Sequence, residues 1–569
     1  MRTKFYLTLV LISICSAILL AICFPPCHFS FLVWFALVPW LWLLTRVNFK
    51  QLLLAHFLFQ LFFYGIGSYW LSAVHPLALF AVQIPLYFIC LPFPLLFWWI
   101  AKKKIIPLWL ATPILWCSQE YLRSFLFTGF PYAFLGHTVA FYPILIQLAD
   151  ITGVYGVTFV IVTVNSFLFI CLQYLTTKKQ DRRLIQIVGA FLFCIVSLSV
   201  LLSYGYYKLQ TISYEEGPKV ASLQGNIPQE IKVNPLDNKK HILESYGKLT
   251  VDALRENPAL IIWPETMCPE DIQMSASMYA WFHDMAVQGK TAFLLGSHYY
   301  EFTPDKQNYK LYNSAFYMNE QGKIIGRYDK NRLVIAGEYI PLRNTFPFMP
   351  ILIKNLVGYV PDIEQSNIKE KFSLQNHDFG CAICYDIAFP SEIREWRKKG
   401  CEFVVNLTNE GWFYNTSELE QLLAISIFRA VESRIGIVRA TNTGITTYIP
   451  PTGIFNPEQT LTISMKNFPN ILQPFIVKQI KDQHVIAWNH LPNILELKTE
   501  AIKNWDCIIN NQKLKWKDFP GVLCHSVPLA TKELSFYTKW GDVFSWIMFC
   551  LTFLFIGLNF TKRSNLNKS

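Results

Sequence analysis

The sequence predicts two fold classes in one chain. One is a multi-pass α-helical membrane bundle of about eight transmembrane helices, and the other is an extracytoplasmic α/β layered domain. Three observations predict this. Apolar residues make up 53% of the 569 and charged residues only 16%, too greasy for an ordinary soluble protein. The apolar excess sits in residues 1–205 and again near 541–560, while 215–535 has the mixed polarity of a globular domain. Basic residues cluster in every second link between the apolar stretches.

Seven apolar stretches come first, near 5–23, 28–45, 51–73, 77–100, 105–124, 151–174 and 184–204, and an eighth lies near 541–560. Most approach the ~20 residues that cross a bilayer as a helix. The first has a long core and no small-x-small cleavage site, and it reads as a retained helix. Arg2 and Lys4 precede it. Arg46 and Lys50, then Lys102–Lys104, then Lys178, Lys179, Arg182 and Arg183, then Lys562, Arg563 and Lys568 mark alternate links. Links 24–27 and 74–76 carry no Lys or Arg. This asymmetry puts both termini in the cytoplasm and 205–540 outside it. Much of the formal charge of +11 is then topological and requires no nucleic-acid partner.

Within the greasy half, Glu120 and Arg123 are three apart, so a local helix-face pair is expected. Thr128-Gly129-Phe130-Pro131-Tyr132 reads as an aromatic turn, an interfacial belt or part of a lipid entrance, with the belt favoured.

The outer domain reads as strands alternating with helices. Strands are expected at 219–226, 259–263, 291–296, 402–406, 436–440 and 444–449, with a hairpin over 310–328 around Asn319-Glu320-Gln321-Gly322. Helices are expected at 238–256, 276–289 and 391–399. A capping box, Ser417-x-x-Glu420, should open a helix reaching about Arg434. The pivotal stretch is His377–Pro390, a buried strand ending at Cys384 or Tyr385. Cys384 is a candidate nucleophile. Cys381 and Cys384 also fit two inert core residues, or a C-x-x-C redox pair.

Three element ends carry Glu265, Lys330 and Cys384. A thiol nucleophile needs a base, which a carboxylate of raised pKa in a partly dry crevice supplies. A nearby ammonium lowers the thiol pKa and steadies an oxyanion. Taken singly, Glu265 could cap a helix and Lys330 could be a solvated hairpin residue. No spacing of Cys and His argues for zinc, and neither a metal nor a cofactor is expected. Cys507 and Cys524, outside the main α/β blocks, are expected to form a disulfide.

Trp263-Pro264-Glu265, Asp329-Lys330 before Gly337-Glu338-Tyr339-Ile340-Pro341, and Cys384-Tyr385-Asp386 resemble the three signature blocks of the nitrilase superfamily. Gln224-Gly225-Asn226-Ile227-Pro228-Gln229, Thr128–Pro131, Gly153–Val157 and the membrane half narrow the resemblance to the apolipoprotein N-acyltransferase family, over about residues 5–455 and the last helix. The resemblance implies a nitrilase-like αββα sandwich within 215–535, with 456–530 an unassigned insertion, between helices in 1–205 and a final helix at 541–560. It implies Glu265 as base, Lys330 on the oxyanion, Cys384 as nucleophile and Glu338 orienting Lys330, with Tyr385, Asp386 and Trp412 as supporting or substrate-binding residues. It also implies transfer of the sn-1 acyl chain of a phospholipid, by way of a Cys thioester, to the α-amine of a diacylglyceryl-cysteine lipoprotein. The site of action would be the bacterial inner membrane, with the catalytic domain periplasmic and the chain a monomer. Val233 stands where the family has Trp, Asp386 where Glu is common and Tyr414 where Gly is usual. The rival readings are a membrane-anchored amidase acting on small amides, for which the apolar stretch Thr345–Ile353 suits less well than a lipid-facing lid, and a transport or binding protein with an inactive domain.

Overall fold

A computed structural model describes residues 2–566, leaving out 177–182, 233–237, 355–361, 414–415, 457–474, short stretches within 481–520 and isolated positions elsewhere. Between 475 and 515 only the backbone of strands is described. Val233, Tyr414, Cys507 and part of Thr345–Ile353 therefore lie outside the described residues or side chains, and with them the Cys507–Cys524 pairing.

The greasy half folds as helices. Five are long and apolar enough to cross a membrane: Lys4–Ala21, Phe49–Gly67, Ala78–Lys103, Val154–Leu175 and Leu184–Thr211. The other stretches expected to span take different forms. Residues 28–45 break into a 3-10 turn, Ser30–Trp34, and a short helix, Val38–Leu44. Leu108–Phe125 is a helix, but Gln119, Glu120 and Arg123 dilute its hydropathy, and its middle, Ala111 to Tyr121, is buried among its neighbours. The last helix, Val543–Leu566, has a shorter apolar part, Val543–Leu558. Leu184–Thr211 turns most of its surface outward, with Ile185 79% exposed, as a lipid-facing helix does.

The expected Glu120–Arg123 pair does not form. Glu120 accepts from the Leu135 N–H at 2.9 Å, Thr158 Oγ1 at 2.8 Å and Trp116 Nε1 at 3.1 Å. Arg123 donates to the Ala133 carbonyl at 3.1 Å and to the Tyr64 hydroxyl. Each charge finds better partners on the chain that returns over the helix, so the two pin that return from below. Tyr132 is in consequence 4% exposed, which corrects the reading of Thr128–Tyr132 as an interfacial belt; Phe127, 68% exposed, is the aromatic that faces out.

The α/β domain within 215–535 is built on two sheets. The six-stranded sheet runs β11-β1-β2-β3-β4-β5, with β1 Glu216–Gln224, β2 Leu260–Trp263, β3 Ala292–Phe302, β4 Tyr309–Met318, β5 Ile324–Asp329 and β11 Gly521–Pro528. The five-stranded sheet runs β10-β9-β8-β7-β6, with β6 Phe372–Leu374, β7 His377–Ile383, β8 Phe403–Thr408, β9 Gly436–Thr441 and β10 Thr447–Ile449. The strands β1, β2 and β3 are parallel, as are β7, β8 and β9. A third, antiparallel sheet of five strands lies within 475–515.

Alternation along β2 sets the layers. Ile261 and Trp263 join Tyr246, Leu249, Met278 and Phe282 of the Lys239–Leu254 and Ala276–Gly289 helices in one core. Leu260 and Ile262 turn the other way, into the core shared with Phe379, Phe403 and Val405 of the second sheet. The Tyr448 hydroxyl crosses between sheets to the Val220 carbonyl at 2.7 Å. The Pro390–Lys398 and Glu418–Ser433 helices cover the far face, through Ile393, Trp396, Leu422 and Ile425. The result is helix, sheet, sheet, helix. Trp263 fills its core completely, and cutting such a side chain to Ala costs about 3–5 kcal/mol.

The capping box at Ser417 is absent. Ser417 is the N-cap of Glu418–Ser433, but its backbone is already helical, φ −69° and ψ −9°, and its hydroxyl caps no N–H. Glu420 instead meets His28 Nε2 at 2.9 Å. The helix start is fixed from the membrane half, because the Gln421 amide donates to the Gly67 carbonyl at 2.9 Å. Two buried pairs reinforce the junction. Arg434 holds Asp150 at 2.8 Å, and Glu432, paired with Arg429 at 2.9 Å, accepts from the Val154 N–H at 3.0 Å.

Candidate active site

Four of the residues that meet in one crevice follow strand ends. Glu265 lies two residues past β2, Cys384 one past β7, Asn409 one past β8, and Lys330 one past β5. Carboxyl ends of parallel strands are where layered α/β folds place chemistry, because the rigid sheet aims side chains into the gap between loops. Gly296 is required here. A Cβ on it would lie 2.1 Å from the Pro264 carbonyl oxygen, so only glycine lets the Pro264–Glu265 backbone pack against β3.

The buried ammonium of Lys330 bridges two carboxylates, Glu338 Oε1 at 2.8 Å and Glu265 Oε1 at 3.2 Å. Asn313, in the middle of β4, ties the same two together, its amide donating to Glu265 Oε1 at 2.7 Å and Glu338 Oε1 at 3.1 Å. The Asn409 N–H closes on Glu265 Oε2 at 2.8 Å, and the Val334 N–H on Glu338 Oε2 at 2.8 Å. Every carboxylate oxygen of the pair thus has a donor. That is the condition for keeping such charges dry.

The electrostatics differ from the sequence expectation in two respects. Burial pushes the Glu265 carboxyl up, but Lys330, then Lys232, Asn313 and the Asn409 N–H more than offset it, and the group is held below its ordinary value. It is an ionised carboxylate, not one of raised pKa. For Cys384, burial and then the Glu265 carboxylate push the thiol well above its ordinary value, and Lys330 and Thr408 pull it back only in part. The thiol is therefore neutral at rest beside an ionised carboxylate. Lys330 is drawn down by burial and raised further by Glu265 and Glu338, and it stays well above its ordinary value.

The two cysteines separate cleanly. Cys381 is inside β7 and fully buried, its carbonyl accepting from Trp396 Nε1 at 2.7 Å. Cys384 is half-buried and opens the 3-10 turn Cys384–Ala388 with φ +48°, a left-handed conformation that non-glycine residues adopt only under constraint. A strand carries one and a turn the other, where a redox C-x-x-C pair would open a helix.

Asp386 supplies the constraint. Fully buried, it accepts from the Ile383 N–H at 2.8 Å, the Arg332 N–H at 2.7 Å and the Tyr328 hydroxyl at 2.8 Å. It braces the Cys384 turn rather than lining a pocket. Tyr385 stacks on Tyr132 with ring centroids 6.2 Å apart and planes at 8°, and its hydroxyl donates to the Gly129 carbonyl at 3.2 Å. The return held by Glu120 and Arg123 thereby reaches the residue next to Cys384. Trp412 is 37% exposed on the turn Glu410–Phe413, away from the charged cluster's hydrogen bonds. Phe348 and Ile351 are exposed.

Asn313, Asn409, Lys232 and His298 were not evident from sequence. A single Asn at a buried position inside a strand was the available signal for Asn313, since Asn is depleted in strands. Asn409 acts through its main chain and left none. Lys232 donates to the main-chain carbonyl of Glu265 at 3.3 Å; burial draws its ammonium down to about 8, with Glu265 and Cys384 acting the other way. Burial and Lys232 lower the His298 imidazole to about 4, so it is neutral.

Comparison with known proteins agrees with this architecture. Residues 16–167 match the family model described as the apolipoprotein N-acyltransferase N-terminal domain, and 219–466 match the carbon-nitrogen hydrolase model. A Geobacter metallireducens protein named apolipoprotein N-acyltransferase is 29% identical over 571 residues, covering 97% of this chain and 96% of that one. One of the same name from Haemophilus ducreyi is 28% identical over 464 residues, covering 77% and 86%. Among solved structures, an amidase from Nesterenkonia aligns with 42% of this chain and 86% of its own at 17% identity and a TM-score of 0.30. On the family matches and these relatives, the chain belongs to the apolipoprotein N-acyltransferase family of the nitrilase superfamily.

Proposed function

We propose that this chain moves the sn-1 acyl chain of a phospholipid to the α-amine of an N-terminal diacylglyceryl-cysteine, through a thioester on Cys384. The observation that carries the proposal is the Lys330 ammonium shared between Glu265 and Glu338 beside a neutral thiol. Glu265, ionised at rest, takes the thiol proton as sulfur bonds to the ester carbonyl carbon. Lys330 spends two of its three N–H donors on the carboxylates, and the third serves the oxyanion. The C–O bond breaks, Glu265 returns the proton to the leaving lysophospholipid, and the acyl chain stays on sulfur. A neutral amine then adds to the thioester carbonyl. Glu265 takes its proton, the C–S bond breaks, and the proton passes to sulfur as the amide leaves. Glu338 and Asn313 hold Lys330 and Glu265 in register, Asp386 holds the Cys384 turn, and the family resemblance assigns substrate contact to Tyr385 and Trp412.

The basic-link asymmetry supports a bacterial inner-membrane setting with the catalytic domain, within 215–535, on the periplasmic face and both termini cytoplasmic. Donor and acceptor lipids then reach the crevice from the bilayer. All the residues invoked come from one chain, as a monomer requires. The test is mass spectrometry of a lipoprotein's N-terminal peptide from cells with and without this chain. The expected result is one additional acyl chain, amide-linked, only when the chain is present. Unchanged N-termini together with hydrolysis of small soluble amides would overturn the proposal.

A further inference from the structure

The short helix Gln229–Lys232 is locked over the crevice. The Asn226 N–H donates to the Asn442 carbonyl at 2.8 Å and the Ile227 N–H to Asn442 Oδ1 at 3.1 Å. The Gln229 amide oxygen accepts from Asn409 Nδ2 at 3.0 Å, and Asn409 is the residue whose N–H holds Glu265. This frame aims the Lys232 ammonium at the Glu265 backbone, where its hydrogen bond is to the main-chain carbonyl at 3.3 Å. It lies within electrostatic reach of Cys384, Glu265, Lys330 and Glu338, and beside neutral His298.

The two lysines of the crevice are differently placed. Lys330 is fully buried, and two carboxylates within ion-pair distance neutralise it. Lys232 is only half-buried, and among the described residues it has no carboxylate within ion-pair distance. A partly buried cation whose hydrogen-bond partner is a neutral carbonyl is under-compensated, and an anionic ligand completes it. The phospholipid donor carries one such group, a phosphodiester a few bonds from the sn-1 ester. The diacylglyceryl acceptor has none.

We propose that Lys232 is an anion subsite that binds the phosphate of the phospholipid donor and so sets donor specificity in the first half of the reaction. This rests on the acyl-transfer reading above. Lys232 touches the substrate away from the reacting bond, and it favours esters of glycerophospholipids over esters that lack phosphate.

The test compares acyl-enzyme formation from a phosphatidylethanolamine in detergent micelles with that from a p-nitrophenyl acyl ester of the same chain length. It uses the full-length chain, Lys232→Gln and Lys232→Arg. The ratio of the two kcat/KM values should fall about ten- to hundredfold in Lys232→Gln, the worth of one charge-assisted hydrogen bond. The loss should sit mainly in KM for the phospholipid, and Lys232→Arg should restore most of it. Proportional loss with both donors, or no loss with either, overturns the proposal, the first because Lys232 then only supports Glu265. Cys384→Ala is run alongside. If it still forms an acyl-enzyme, the acyl-transfer reading has failed; if it does not and the donor ratio is unmoved, the Lys232 subsite alone has failed.

Discussion

Two sets of buried charges lie in this molecule, and they do different work. The crevice holds Lys330 between Glu265 and Glu338. The junction between the membrane half and the catalytic domain holds Arg434 against Asp150 and Gln147. There the guanidinium meets Asp150 Oδ2 at 2.8 and 3.0 Å, Gln147 Oε1 at 2.8 Å and the Pro451 carbonyl at 2.9 Å, while Lys208 approaches Asp150 at 3.4 Å. In the junction a planar fork of donors is saturated by acceptors, and nothing is left over for a substrate. In the crevice one ammonium is shared by two carboxylates and, among the described residues, has no third partner, with a thiol on a strained turn at its side. Saturation makes a clamp, and incomplete saturation beside a thiol is what the proposed acyl transfer requires.

The comparison predicts opposite signatures. Lys330→Ala should slow acyl-enzyme formation about 10²–10³-fold per folded molecule, the usual cost of losing an oxyanion donor; single-turnover kinetics with a phospholipid donor reads this. Arg434→Ala leaves Asp150 buried and short of its main partner. Thermal or denaturant unfolding in detergent should show a loss of about 3–5 kcal/mol, with the acylation rate per folded molecule within about twofold of the parent. A rate loss without a stability loss at Arg434 would erase the distinction. The smallest effect belongs to Ser417. Because its hydroxyl caps no N–H, Ser417→Ala should cost less than about 0.5 kcal/mol, where a working cap costs about 1 kcal/mol. A full cap penalty in the same unfolding measurement would restore the capping box.

Much of this was legible in the sequence for a physical reason. Strand ends before Pro or acidic residues announce themselves, so Glu265, Lys330 and Cys384 could be placed at the margins of apolar runs. The helix Ala276–Gly289 occupies the range expected of it. What stayed hidden depends on chain segments far apart in sequence. Glu120 and Arg123 sit at pair spacing, yet the returning loop outbids each for the other. Ser417 and Glu420 have the letters of a capping box, but contacts from Gly67 and His28 set that helix start. The sign of the Glu265 shift was missed because a lone carboxylate in a dry crevice titrates upward, and only the fold shows two ammonium groups beside it. The positive φ of Cys384 has no signature in the letters, since the buried Asp386 that holds the turn reads as one more polar residue after a strand.

The most direct test of the account is to trap the acyl-enzyme. Full-length chain is incubated with phospholipid in the absence of acceptor, digested, and mapped by mass spectrometry with and without hydroxylamine. The account predicts a hydroxylamine-labile acyl group on the peptide carrying Cys384, kept in Cys381→Ser and lost in Cys384→Ala. An acyl group mapped to Cys381, or undiminished acyl transfer by Cys384→Ala, would contradict it.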